Sequence, residues 1–146
     1  MTTPTNQQDI FDLSEEQFRW FLAGFIEGEG SLCISIKRNR TTRFGFDISP
    51  AFYLYQHTSG RLERAKLLFK SGTISKKSGS ANVLTYTITN RHVLFNTVLP
   101  FFHKYIAGCK HETCIIFEDV LGRDRRERKN ICQSMAFWYV VNKYTK

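Results

Sequence analysis

Nine consecutive residues, Leu22-Ala23-Gly24-Phe25-Ile26-Glu27-Gly28-Glu29-Gly30, constrain this chain more than any others. The run Phe18 to Ile26 is apolar except for Arg19 and Gly24, too apolar all round for a surface helix. Gly24 and Gly28 fall on one helix face, where missing Cβ atoms let a second backbone come very close. Each glycine costs a helix interior about 1 kcal/mol relative to alanine, so a pair implies a packing reason. Glu29 falls in the last turn, at the negative end of the helix dipole, where a carboxylate is disfavoured by up to about 1 kcal/mol. A bound divalent cation reverses that sign, and the free carbonyls of the last turn are hard oxygen ligands beside it.

The stretch resembles the signature of the LAGLIDADG homing endonucleases, written here as LAGFIEGEG. The resemblance implies two such helices packed together at a dimer interface, with Phe21, Gly24, Phe25 and Gly28 on the shared face. It also implies that the last acid of the motif holds a catalytic metal. That acid is Glu29, with the carbonyl of Gly28 as second ligand and Mg²⁺ (or Mn²⁺) as the ion.

The net charge of +8 and a pI near 9.5 point to a polyanionic partner, nucleic acid before membrane. The start, MTTPTNQQDI, is polar and has no signal-peptide character. No apolar run approaches the roughly 20 residues of a membrane span. Cys33, Cys109, Cys114 and Cys132 therefore read as reduced thiols in a soluble, intracellular protein.

Along the chain, residues 1–13 read as a flexible polar lead and 14–146 as one domain. Ser14 with Gln17 forms a capping box that opens a helix running to Glu29, with Gly30 as its stop. Leu32, Ile34 and Ile36 alternate with Cys33, Ser35 and Lys37, the period of a half-buried strand. A basic turn, Asn39 to Arg43, leads to a second strand, Phe44 to Tyr55. Pro50 inside it implies an edge or a bulge. Helical spacing returns over Arg61 to Lys70, with Gly72 as its stop. A hairpin follows, Thr73–Lys77 and Val83–Thr89. Asn90 is placed to cap a helix that Pro100 bends or splits. Further helices are expected near His111–Leu121 and Ile131–Val141. The order is α-β-β-α-β-β-α, an α+β chain with a four-stranded antiparallel sheet and helices on one face. It is the order of the LAGLIDADG fold, so the resemblance covers nearly everything after residue 13.

In both hairpins one face is apolar. The other carries Cys33, Ser35, Lys37, Asn39, Asp47, Ser49, Tyr53, Ser75, Lys77, Thr85 and Thr87. Short hydrogen-bonding side chains with a few cations suit base edges in the major groove, and rim cations suit phosphates. Arg38, Arg40 and Arg43 cluster at the first hairpin tip, and Lys76 and Lys77 beside the second. A further basic run is Arg123, Arg125, Arg126, Arg128 and Lys129. By resemblance the polar face is a saddle along a DNA duplex.

Hydrolysis of a phosphodiester needs an activated water and charge stabilisation at phosphorus. The resemblance implies Gln56, at the end of the second strand, as the group that orients water. It implies Lys110, after the Leu99–Tyr105 segment, as the lysine that acts on the phosphate. Gly60 stands where the family often carries a basic residue, so Arg61 is only a neighbour. Cys109, His111 and Cys114, with His103 nearby, are zinc-type ligands, but finger spacing is absent.

The resemblance thus implies a homodimeric endonuclease that cuts both strands of double-stranded DNA at a long, roughly palindromic site. It implies an intron-encoded enzyme, in a chloroplast or mitochondrion, with no membrane partner. The rivals are an RNA-binding intron maturase and a non-cleaving DNA-binding regulator on the same fold.

Overall fold

Ser14 opens the first helix by the reciprocal hydrogen bonds its sequence implies. Its Oγ accepts from the Gln17 N–H at 3.2 Å, and the Gln17 amide oxygen accepts from the Ser14 N–H at 2.9 Å. Helix α1 (Glu15–Glu29) buries Phe18, Leu22, Ala23 and Ile26. The computed structural model describes residues 9–108, 110–122, 130, 132–136, 138 and 139. Residues 9–13 lie on the body: Ile10 and Leu13 pack against the core, and Arg64 Nη2 donates to the Leu13 carbonyl.

Strand β1 (Gly30–Arg38) follows α1 without a loop. Gly30 is extended, with φ −87°, so it is not the left-handed stop expected of a helix-ending glycine. Its reason is space. A Cβ there would lie 2.8 Å from both Ile26 Cγ2 and the Ile26 carbonyl oxygen. The turn to β2 (Phe46–Gln56) is longer than expected, because Phe44 and Gly45 belong to it. The Asn39 N–H closes it on the Gly45 carbonyl, and Gly45 takes φ +75°, which favours glycine.

Helix α2 (Ser59–Phe69) ends at Lys70 in the left-handed conformation, two residues ahead of the glycine expected to stop it. Gly72 is needed on other grounds: its φ is +95°, and a Cβ would lie 2.7 Å from the Thr87 carbonyl. Strands β3 (Thr73–Lys76) and β4 (Leu84–Ile88) form the second hairpin. All pairings are antiparallel, in the order β1-β2-β4-β3. Pro50 makes no bulge; it pairs in register with Ile34. It lies beyond Phe52, the partner of the last β4 residue, so β1 alone flanks β2 there.

Asn90 caps α3 (Arg91–Val93), its side chain accepting from His92 and Val93. A π turn (Leu94–Val98) joins it directly to α4 (Leu99–Tyr105). Pro100 therefore does not split the segment. It sits in the first turn of α4 behind a wider turn, where a missing N–H costs least. The last element described in full is α5 (Lys110–Gly122). Arg91 Nη2 donates to the Val120 and Leu121 carbonyls and ties α3 to the end of α5.

Helices α1, α2 and α5 pack on the apolar face of the sheet. Phe52 is at the centre, fully buried, with rings of Phe69, Tyr86 and Phe102 set edge-on to it at 5.9, 6.3 and 5.8 Å. Such edge-to-face pairs contribute about 0.5–1.5 kcal/mol each beyond the burial itself. Tyr86 keeps its hydroxyl satisfied by donating to the Ser71 carbonyl at 2.6 Å. This packed layer fixes the end of α1 against the end of the sheet, and the candidate site lies there. Among the described residues no helix is long and apolar enough to cross a membrane.

Candidate active site

The C-terminal end of α1 carries Glu29, exposed to solvent. Among the described residues none forms a hydrogen bond or ion pair with its carboxylate. Lys110 reaches this helix end from the first position of α5. Its Nζ donates to the Ile26 carbonyl at 2.6 Å and to the Gly30 carbonyl at 2.5 Å. Its ammonium thus spans the residues on either side of Glu29, against the negative end of the dipole. Gln56 comes to the same end of the sheet, because the β1–β2 register pairs Gly30 with Leu54. Its side-chain oxygen accepts from the His57 N–H at 2.8 Å. Glu29, Gln56 and Lys110, up to 81 positions apart in sequence, thus lie toward one end of the sheet.

The exposed face of α1 is bare. A Cβ built on Gly24 or on Gly28 would meet nothing within 4 Å. Phe21, 37% exposed, and the half-buried Phe25 flank this strip with rings stacked at 6.2 Å and 21°. The Arg61 guanidinium lies over both, 5.7 Å from the Phe21 centroid and 5.8 Å from that of Phe25. Arg61 therefore belongs to the margin of the glycine face.

The polar face of the sheet is organised in cross-strand rows. Ser31, Tyr53, Thr87 and Thr73 form one, and Tyr55, Thr85 and Ser75 the next. Cys33 opposes Ala51, Ser35 opposes Ser49, and Lys37 opposes Asp47. Thr85, expected on an open surface, is only 8% exposed. The Tyr53 and Tyr55 rings stack at 6.2 Å, and Lys77 Nζ lies 4.6 Å over Tyr55. Burial raises the Tyr55 phenol above its usual range, with Cys33 and Tyr53 adding to the shift. Ser49 Oγ donates to Asp47 at 3.3 Å, and Ser35 Oγ to the Ser49 carbonyl at 3.2 Å. Asn39 spends its side-chain oxygen on the Thr41 N–H and hydroxyl. Lys37, Arg38, Arg40, Arg43 and Ser75 are exposed.

Among the described residues the zinc-type side chains do not assemble. Cys109 lies outside the described residues, and among those described no group of three His, Cys, Asp or Glu is placed to hold a metal. Cys114 is core: it is 1% exposed, and burial pushes its thiol up to about 11. His103 pairs with Glu118 at 2.8 Å. The basic run 123–129 also lies outside the described residues, as do positions 131, 137, 140 and 141 of the expected helix 131–141, whose described residues 132–136, 138 and 139 are helical.

Residues 22–121 match the family described as LAGLIDADG endonuclease. This chain belongs to that family. DNA endonuclease I-CeuI of Chlamydomonas moewusii is 43% identical over 105 residues, which is 68% of this chain and 48% of the relative. The chain thus spans about half the length of that relative. Homing endonuclease I-ApeII of Aeropyrum pernix is 28% identical over 115 residues, 77% of this chain and 69% of the relative. A solved structure described as the group I intron-encoded homing endonuclease I-CeuI complexed with DNA superposes with a TM-score of 0.78. That match has 31% identity and covers 91% of this chain and 68% of the other.

As a LAGLIDADG chain, the molecule presents a donor set that fits a hard divalent ion. Glu29 offers an exposed carboxylate, and the last-turn carbonyl of Gly28 is an oxygen of the right kind beside it. Two protein ligands alone suit Mg²⁺, which keeps several waters and takes substrate phosphates as further ligands. The polar face as read from the sequence leaves out Ser31, Thr73 and Tyr55, although the alternation of the second strand already sets Tyr55 on the same side as Tyr53. Extending the same period-two count to both ends of each strand would have found them.

Proposed function

We propose that this protein is a site-specific endonuclease that binds double-stranded DNA as a homodimer and hydrolyses both strands with a divalent metal, Mg²⁺ or Mn²⁺. The observation that carries the reading is Glu29: an exposed carboxylate at the negative end of a helix, with no partner among the described residues and with Lys110 beside it. The relatives named above are endonucleases, and one is a DNA complex. A second copy on the bare Gly24–Gly28 face brings two such ends together. One acid then serves each strand of a duplex.

In this reading Glu29 and the Gly28 carbonyl hold the metal, which when bound activates water and offsets charge at phosphorus. Gln56 turns from the His57 N–H to orient the attacking water. Lys110 supplies positive charge toward the scissile phosphate. Lys37, Arg38, Arg40 and Arg43 take phosphates along the duplex. Cys33, Ser35, Asn39, Asp47, Ser49, Tyr53, Ser75, Lys77 and Thr87, with Tyr55, read base edges, while Thr85, covered by its neighbours, supports that surface from below. An intron in an organelle genome is the proposed source. The test is cleavage of a randomised duplex library with Mg²⁺, followed by the selected site with and without metal. Binding without any metal-dependent cutting would overturn the reading in favour of a regulator. Preferential binding of intron RNA would favour a maturase.

A further inference from the structure

The two hydrogen bonds from Lys110 go to the carbonyls that frame the acid of the motif. Ile26 already receives the Gly30 N–H as the helix-ending bond, so its oxygen takes two donors, one of them charged. The Gly30 carbonyl belongs to the first residue of β1, one position beyond Glu29. An ammonium so placed performs the task expected of a cation at this end. It opposes the negative end of the helix dipole. The same side chain is therefore committed to backbone when it would be needed at a phosphate. A lysine held by two carbonyls and a divalent ion held by Glu29 and the Gly28 carbonyl would be like charges within one helical turn of each other, and like charges at that range repel.

We infer that Lys110 is a built-in counter-ion for the end of α1, docked on the Ile26 and Gly30 carbonyls in the metal-free protein and released when a divalent cation binds. The inference rests on the metal reading of Glu29 and adds a coupling to it: the ion that activates water also frees the ammonium. Because Lys110 is the first residue of α5, release loosens the attachment of that helix start to the motif helix. The metal-free protein keeps its lysine out of play, and the ion taken up by the exposed Glu29 carboxylate frees it.

The experiment is an amine-acylation footprint on the full-length, DNA-free protein, read residue by residue by mass spectrometry, with Ca²⁺ as the probe and calorimetry to establish its binding. Without the ion, Lys110 should acylate far more slowly than the exposed Lys66. Saturating Ca²⁺ should raise its rate on the order of tenfold, the factor a single charge-assisted hydrogen bond is worth. Lys66 should not change. In Glu29→Gln both the binding heat and the rise at Lys110 should vanish. Lys110 that reacts like Lys66 from the start, or whose rate ignores Ca²⁺ that demonstrably binds through Glu29, overturns the inference and leaves the metal reading standing. Absence of Ca²⁺ binding, or equal binding by Glu29→Gln, overturns the metal reading and the inference with it.

Discussion

Gly108 lies against the side chain of Glu27: a Cβ built on the glycine would stand 2.7 Å from the Glu27 Cδ. The first acid of the motif is thus turned into the packing between α1 and the loop that leads to α5. The second acid is exposed at the helix end. The two carboxylates, two positions apart, are separated by about 200° around the helix, and their environments differ accordingly.

The pair of variants Glu27→Gln and Glu29→Gln exploits that difference. Glu29→Gln should abolish cleavage while the dimer and DNA affinity stay near wild type, with affinity slightly improved because a charge that repels phosphate is gone. Glu27→Gln keeps the packing shape and should cut at close to the wild-type rate. Single-turnover cleavage and a binding titration on each variant measure this. Wild-type cutting by Glu29→Gln would mean the acid is wrongly assigned.

Glycine substitutions separate the face from the fold. Gly24→Ala meets nothing within 4 Å in the chain itself, and alanine improves an interior helix position by about 1 kcal/mol. Intrinsic domain stability should therefore rise or hold while self-association weakens. Gly30→Ala is the contrast, because its Cβ would strike Ile26 side chain and backbone. It should cost about 1–3 kcal/mol of stability, as overpacking does. Urea unfolding and sedimentation give the two readouts. A Gly24→Ala protein that is as dimeric as wild type would place the interface elsewhere.

Salt dependence should identify the phosphate contacts. If Lys37 and the rim arginines neutralise phosphates, log affinity falls with log salt by about 0.9 per contact. Lys37→Ala should lower that slope by about one contact and weaken all sequences alike. Lys77 differs, since its ammonium lies over the Tyr55 ring 4.6 Å away. Lys77→Ala should change preference among sites more than it changes the slope. A slope that neither variant moves would contradict this division.

The buried thiol of Cys114 gives a pH signature. An unfolded cysteine ionises near 8.5, whereas burial holds native Cys114 up to about 11. As pH rises the unfolded chain loses its proton first, so the stability from this group is complete below about 8.5 and is lost as pH climbs through 11. The wild type should therefore lose stability between about pH 8.5 and 10, below the range of ordinary tyrosine. Cys114→Ala should show a flatter curve over that window, on top of a uniform cavity cost. Urea midpoints across the series check both.

Most of the local structure was legible along the chain because its causes are local. Ser14 with Gln17, Asn90 at a helix start, and the alternation of Leu32 and Ile34 with Cys33 and Ser35 each need only a few neighbouring residues. The motif 22–30 carried the family, the bare glycine face and Glu29 for the same reason: period and end effects of one helix suffice. Helix ends were less legible. Lys70 took the left-handed position ahead of Gly72, and Gly72 and Gly30 proved to answer close approaches from Thr87 and Ile26.

What only the tertiary structure decided are relationships set by packing between distant segments. Lys110 and Ile26 are 84 positions apart, and no spacing rule shows that an ammonium in one caps the carbonyl of the other. Thr85 alternates as a surface residue, yet lies covered between Tyr55 and Ser75 because both β2 and β3 flank it. Arg61 reads as a neighbour of a missing basic residue, and stands instead over Phe21 and Phe25 because α2 packs beside α1. Periodicity states which face of an element is apolar. It does not state which other element that face meets, since that is chosen by the burial of the whole core around Phe52.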